Sequence, residues 1–299
     1  MADPALVSVI LTCYNGERWI AETIRSVLAQ SHTEHELIVI NDGSADRSGE
    51  IVRSFNDPRL RYVEQPNRGI PGARNRGLME AKGEAICILD QDDLWHPDKL
   101  ALQVSRLSHD PQVGAVYTNA EHIDATGRII GRRFDGPQPE GWLLERFLRH
   151  GVAVPIMTTM IRHECFKKVG GFDERLYGCD DYELLVRLAA EFRFSYLPLP
   201  LASLRYHSRN AWQDGRMVLD RLIVAAELAV RFPQHASLVR RYRASAHYHH
   251  GLHLLAKCEP RRARAEFGHA IRNCRSFWRA YVLWLQTLRP NGGRREGRS

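Results

Sequence analysis

Four short runs of aliphatic and β-branched residues recur in the first third of the chain, each followed by a helical pattern. This alternation constrains the fold more than any other feature. LVSVILTCYN (Leu6–Asn15), HELIVINDGS (His35–Ser44) and EAICILDQDD (Glu84–Asp93) are apolar runs that stop in polar residues; RLRYVEQ (Arg59–Gln65) is a shorter one. Between them, Ile20, Ile24, Val27 and Leu28 recur at helical spacing, ADRSGEIVRSF reads as a helix, and GARNRGLMEAKG reads as a helix closed by Gly83 at C′. Strand–helix alternation predicts a mostly parallel sheet with helices on both faces. In such sheets ligands bind beyond the carboxyl ends of the strands. Three polar clusters, Thr12–Asn15, Asn41–Ser44 and Asp90–Asp93, stand at three such ends and so point to one crevice.

Beyond Asp110 the pattern loosens. VGAVYTNAEHID and RIIGRRF read as a hairpin through ATG, WLLERFLRH as a short helix, and AVPIMTTMIRHECFKKVGGF as a strand followed by a helix ending at Gly170-Gly171. DDYELLVRLAAEF is an amphipathic helix, RFSYLPLPLASLRYH is extended, and from about Gly215 to Arg289 the chain reads as helical. No run reaches the ~20 apolar residues of a membrane span. The first residues lack the basic and long apolar regions of a signal peptide. The six cysteines show no C-x-x-C pair or zinc spacing, which fits free thiols in a reducing cytosol. From Asn210 onward there are 17 basic and 6 acidic residues, a net of +11, whereas the preceding part is net −4. The basic part suits an anionic lipid or polymer, or simply solvated helix faces. It holds no base-reading motif, so no nucleic acid is expected.

Asp90, Asp92 and Asp93 crowd three carboxylates into four positions, and such charges raise one another's pKa unless compensated. A cation would compensate them, and so would solvation in a turn. Asp90-Gln91-Asp92 has D-x-D spacing. Two hard oxygen ligands suit Mg²⁺ or Mn²⁺, with waters and phosphates completing the shell. The ion would offset the charge of a diphosphate leaving group. Asp93 also fits the cap of a helix starting near HPDKL. Asp42 can accept hydrogen bonds from a nucleobase imide, with Thr12 and Tyr14 flanking the base, or close an Asx turn at Asn-Asp-Gly. Arg68 and Arg74, in PNRGIPGARNRGL, suit a phosphate at a helix N-terminus, while Arg76 reads as a surface arginine. Asp180-Asp181 opens a helix. Its charge is favoured there by the helix dipole, and beside a diphosphate site one carboxylate becomes a general base. His207, in LRYHSRN, offers a nitrogen to a metal or pyrophosphate. His247, His249, His250 and His253 read as ordinary helix residues.

Taken in order and spacing, VSVILTCYNGERWIAETIRSVLAQS, ELIVINDGSADRS, NRGIPGARNRGL, GEAICILDQDDLWHPDKL, GGFDERLYGCDDYEL and LRYH resemble the inverting family 2 glycosyltransferases of the GT-A fold. The resemblance covers about Leu6 to His207. It implies an α/β, Rossmann-like GT-A catalytic domain over residues 1–209, a nucleotide-diphospho-sugar donor (by default a UDP-sugar) and Mn²⁺ or Mg²⁺. The implied acceptor is a hydroxyl on a glycan or lipid-linked molecule, in surface polysaccharide or glycolipid synthesis. The resemblance places Thr12, Tyr14, Asn15, Glu17, Asp42, Arg68, Arg74, Asp90, Gln91 and Asp92 at the donor, Asp92 and His207 on the metal, and Asp181 or its neighbour Asp180 as the base. Two departures from the family pattern stand out. Thr12-Cys13 replaces the usual Pro-Thr, and Asp180-Asp181 replaces the usual Glu-Asp.

Residues 210–290 are expected to form a basic helical extension, and 291–299 a disordered tail. Gly251, Ala263, Phe267 and Ala270 fall at the small and aromatic positions of one degenerate tetratricopeptide-like repeat. The extension's aromatics and arginines suit packing into the protein or contact with an anionic membrane, so the expected location is cytoplasmic, free or peripheral on the inner face of the plasma membrane. Two other classes remain open from sequence: a nucleotidyltransferase, whose Gly-rich, Lys-containing loop is missing from LTCYNGERW, and a non-catalytic scaffold, against which the intact Asp42, Asp90, Asp92 and Asp181 speak.

Overall fold

The computed structural model describes residues 6–150, 154–208 and 215–287. The chain divides into two compact units, one of Met1–Phe147 with Val152–Gln213, the other of Leu148–Gly151 with Asp214–Ser299. The tail expected over 291–299 lies outside the described residues.

In the first unit β1 (Val7–Cys13), β2 (His35–Asn41), β3 (Leu60–Glu64) and β4 (Ala85–Asp90) alternate with α1 (Ile20–Leu28), α2 (Ser48–Arg53) and α3 (Gly69–Glu80). There follow β5 (Leu94–Trp95), α4 (Lys99–His109), β6 (Val113–Ile123), β7 (Ile129–Arg132), α5 (Leu144–His150, whose residues from Leu148 on belong to the second unit), β8 (Thr159–Arg162), α6 (His163–Val169), α7 (Asp180–Glu191) and β9 (Arg193–Arg205). Among the described residues these strands form one sheet in the order β3-β2-β1-β4-β8-β6-β9-β5, with β7 on β6. The first four strands are parallel, as alternation predicts. β8 enters antiparallel between β4 and β6, and β6 and β9 pair in parallel, so the whole sheet is mixed.

Side-chain alternation sorts the helices to the two faces. Val7, Val9 and Leu11 of β1 and Leu37 and Val39 of β2 are fully buried with Ile20, Ile24 and Val27 of α1 and Val52 of α2. Ile38 and Ile40 turn the other way and pack on Ala73 of α3. Gly77 lets α3 sit close on β1, because a Cβ there would overlap Ile10. Strand order reverses between β1 and β4, and that reversal opens the crevice at their carboxyl ends. One expectation fails here. Gly83 does not cap α3, which ends at Ala81 in extended backbone. Gly83 instead donates its N–H to Ser8 Oγ (2.8 Å), where a Cβ would come within 2.5 Å of the Ser8 amide.

The second unit holds α8 (Arg216–Arg231), α9 (Ala236–Ala256), α10 (Pro260–Asn273) and α11 (Trp278–Gln286). Gly251 of α9 lies against the Phe267 ring of α10, and Ala263, Phe267 and Ala270 are fully buried. The histidines of α9 serve this packing. His247 Nδ1 lies 2.7 Å from Glu266 Oε2, and His249 Nδ1 lies 2.8 Å from the Ser245 carbonyl. Among the described residues no helix is long and apolar enough to cross a membrane.

Candidate active site

The parallel register sets Thr12 between Ile40 and Asp90, so the ends of β2, β1 and β4 stand side by side. The loop after β1 turns at Asn15, whose φ of 51° is left-handed and suits asparagine. This loop is tied to the loop after β2. Asn15 N–H donates to Ser44 Oγ (3.0 Å), Ala45 N–H to Asn15 Oδ1 (2.9 Å), Gly16 N–H to Ser48 Oγ (2.8 Å), Glu17 N–H to Asp46 Oδ2 (3.0 Å) and Arg47 N–H to Glu17 Oε2 (3.1 Å). Gln91 clamps the same loop from β4. Its Oε1 accepts the Tyr14 N–H (2.8 Å) and its Nε2 donates to the Tyr14 carbonyl (3.1 Å). Tyr14 itself projects into solvent. Asn15, Glu17 and Gln91, expected at the donor, use these polar groups to tie the loops to one another.

Asp42 is buried at the end of β2. Its Oδ1 accepts from Gln65 Nε2 (2.7 Å) and the Arg68 amide (2.8 Å), and its Oδ2 from the Gly69 amide (2.9 Å). A carboxylate therefore sits at the N-terminus of α3, where the helix dipole favours it. Three of its roughly four acceptor positions are filled from within the protein. Arg68 reaches Glu174 (2.7 Å), and Arg76 pairs along its own helix with Glu80 (2.8 Å).

Arg74 is the electrostatic centre of the site. It is only 4% exposed, and its guanidinium donates to Asp180 Oδ2 (2.8 Å) and Asp90 Oδ1 (2.9 Å). Burial works against its charge, but Asp180, Asp90 and Asp181 outweigh that and raise its pKa. The pair joins residues 106 apart in sequence and brings the start of α7 to the end of β4. Asp180 is buried at that helix start, and burial raises its pKa against the pull of Arg74. Asp181 is half-buried. Burial and then the Asp180 carboxylate push it up to about 6, while its Oδ1 accepts the Tyr182 amide at 2.6 Å. A carboxyl group poised there can take a proton near neutral pH.

Asp92 and His207 are 115 residues apart in sequence and meet. Asp92 Oδ2 lies 2.6 Å from His207 Nε2, and the imidazole stacks on Trp19 with ring centres 4.2 Å apart. Burial, then Asp90, raises the Asp92 pKa. Asp93 does not cap a helix. α4 begins six residues later, with Asp98 before it, and the buried Asp93 Oδ1 accepts the Arg205 amide (2.8 Å). Arg205 also donates to the Asp92 carbonyl (2.8 Å) and to Glu22 Oε2 (2.8 Å). Trp19, Glu22, Gln65 and Arg205 were not singled out in sequence. The pairing of β9 with its neighbours brings Trp19, Glu22 and Arg205 to their partners, and the pairing of β3 with β2 brings Gln65 to Asp42.

The donor set suits a divalent cation. The Asp92 carboxylate is a hard oxygen ligand of the kind that suits Mn²⁺ or Mg²⁺, His207 offers a nitrogen beside it, and Mg²⁺ needs few protein ligands because it keeps waters and phosphate oxygens. Among the described residues no three Asp, Glu, His or Cys side chains converge as a metal cage. An ion here would be held by Asp92 and His207 with oxygens of a bound diphosphate.

The family model described as Glycosyl transferase family 2 matches residues 8–169, more than half of the chain. The chain belongs to glycosyl transferase family 2. Among its curated relatives, chondroitin synthase of Pasteurella multocida is 29% identical over 201 residues, which cover 64% of this chain and 20% of that protein. A glycosyltransferase of Rickettsia typhi is 35% identical over 187 residues, 60% of this chain and 57% of that one. The chain thus spans a fifth of the first and somewhat over half of the second. Among solved structures, S. aureus TarS 1–349 in complex with UDP-GlcNAc aligns with a TM-score of 0.71 at 20% identity, covering 95% of this chain and 85% of TarS. The Pyrobaculum calidifontis mannosyltransferase in complex with GDP-Man and Mn²⁺ aligns at 0.61 and 22% identity, covering 96% and 81%. These are likenesses of fold, and the fold is GT-A with C-terminal helices. Family membership sets aside the nucleotidyltransferase alternative. In this family 2 chain the matched residues include Thr12 through Asp93, while Asp180, Asp181 and His207 lie beyond them. Arg74 ties the first back to the matched part through Asp180, and Asp92 ties His207.

Proposed function

We propose that the protein is an inverting glycosyltransferase that moves a sugar from a nucleotide-diphospho-sugar to an acceptor hydroxyl. Asp181 carries the proposal: a half-buried carboxyl pushed up to about 6, joined through Asp180 and Arg74 to Asp90 at the switch point. Asp181 takes the proton from the acceptor O–H. The oxygen attacks the anomeric carbon in line, and the bond from that carbon to the diphosphate breaks with its electron pair leaving on the nucleoside diphosphate. Configuration inverts in a single displacement, so one base is enough. Asp90 and Arg74 orient the sugar end of the donor, and Thr12, Tyr14 and the stitched loops receive its nucleoside. A divalent cation at Asp92 and His207 would neutralise charge on the diphosphate.

UDP is the favoured nucleotide, supported by TarS in complex with UDP-GlcNAc; the mannosyltransferase with GDP-Man and Mn²⁺ makes GDP the first competitor and supports metal use. The chondroitin synthase match supports a glycan acceptor. For a lipid-linked acceptor the enzyme would work against the inner face of a membrane. The test is a panel of UDP-, GDP- and dTDP-sugars with Mn²⁺, Mg²⁺ or EDTA, reading binding heat and released nucleotide for wild type, Asp92→Asn and Asp181→Asn. One donor should bind only with metal. Asp92→Asn should lose that binding, and Asp181→Asn should keep it while losing transfer. If no donor binds under any condition, or if Asp181→Asn transfers at the wild-type rate, the reading fails.

A further inference from the structure

Helix α11 has two apolar faces and uses one of them against α10. Leu283 and Trp284 pack on the cluster of Leu254, Ala263 and Phe267, and Ala280 on the same side of the helix is fully buried. At 100° per residue, Trp278, Tyr281, Val282 and Leu285 fall on the opposite side, spaced i, i+3, i+4, i+7. They are exposed by 66%, 39%, 44% and 57%. Four large apolar side chains adjoining on a nine-residue helix form a patch, unlike the single surface hydrophobics that need no explanation.

The surroundings are basic. Arg275 and Arg279 are exposed at this helix, and the Arg279 guanidinium lies 5.6 Å from the Trp278 ring centre. Residues 215–287 carry 13 Lys and Arg against 4 Asp and Glu, a net of +9, and the sequence from 288 to 299 adds four arginines and one glutamate.

We propose that this face of α11 docks the protein on an anionic lipid surface, with Trp278, Tyr281, Val282 and Leu285 at the boundary of headgroups and acyl chains and the arginines on lipid phosphates. Indole and phenol rings favour that boundary because one edge is apolar and the other polar. A soluble polyanion would use the arginines and leave the apolar stripe in water. A neutral protein partner would cover the stripe and leave the charge unmatched. A bilayer bearing acidic headgroups complements both at once. The inference deepens the peripheral location proposed above, but it is read without donor or acceptor, so either can fail alone.

The experiment is co-sedimentation of the full chain with vesicles of phosphatidylglycerol and phosphatidylcholine, and with phosphatidylcholine alone. Wild type should sediment with the anionic vesicles, and less so as salt rises. Trp278→Ser/Leu285→Ser should lower the partition coefficient at least about tenfold. Arg275→Gln/Arg279→Gln should lower it by about fivefold per arginine. All four positions are exposed, so the helical circular dichroism should stay as in wild type. Three results would overturn the proposal: no partition onto anionic vesicles, partition unchanged by Trp278→Ser/Leu285→Ser, or a wild-type dimer in lipid-free solution that this double variant converts to monomer.

Discussion

Replacing Asp181 by asparagine should make the protein more stable and inactive. Burial and the neighbouring Asp180 carboxylate push its carboxyl up to about 6 in the folded chain from an ordinary value of 3.8. A folded pKa raised above the unfolded one favours the neutral form. The stability this group lends is therefore fully present below about pH 3.8 and lost as pH rises through about 6. About two units at 1.36 kcal/mol each means that the ionised native carboxylate costs about 3 kcal/mol at pH 8. Asparagine mimics the neutral acid and keeps an oxygen for the Tyr182 amide. Asp181→Asn should thus gain about 2–3 kcal/mol at pH 8, or about 4–10 °C in the thermal transition for a unit of this size. At pH 4 most of that gain should be gone, since the folded carboxyl then holds its proton and resembles the amide. Transfer should fall by at least about a hundredfold. The assay is calorimetry at both pH values beside the transfer rate. A melting temperature unchanged at pH 8, or a gain equal at both pH values, would refute the reasoning.

Arg74→Met leaves Asp180 buried without its partner and should destabilise the unit by about 3–5 kcal/mol; Arg74→Lys should be milder and move the acid limb of the transfer pH profile upward, because Arg74 lowers the Asp181 pKa. A Cβ at Gly16 overlaps the Gln91 amide, so Gly16→Ala should displace the Tyr14 clamp and raise the donor KM, as Gln91→Ala should by losing two hydrogen bonds of about 1 kcal/mol each; an unchanged KM would argue against the clamp. Gly251→Val puts atoms where a Cβ is already 2.5 Å from the Phe267 ring, so the second unit should lose about 1–3 kcal/mol by overpacking while donor binding, read by calorimetry, stays as in wild type.

The half of the sheet that forms by local alternation was legible in the sequence. β1 to β4 each carry an apolar run and a polar stop, and the helices between them keep the period that sorts their faces. β6 and β9 were seen as extended segments, but their parallel pairing was not, because nothing local encodes which remote strand will be the neighbour. The same limit governs the site. Asp92 and His207 were each chosen for their chemistry, and their 2.6 Å contact followed from β9 returning beside β6 and β5. Asp93 looked like a helix cap because capping is a local pattern, yet its partner is the Arg205 amide, 112 residues on. Asp42 read either as a base-binding acceptor or as the closer of an Asx turn, and no sequence pattern tells that Gln65 and the first turn of α3 supply three of its donors.

The five hydrogen bonds between residues 15–17 and 44–48 make two loops one object. Neither can open without exposing the polar groups of the other. Their amides should therefore exchange with solvent deuterium together, by a single opening event, and more slowly than their surface position suggests. For anyone grafting a nucleotide preference from a relative, the pair is the smallest transplantable part. Moving one loop alone would strand its counterpart's donors and acceptors and spoil both.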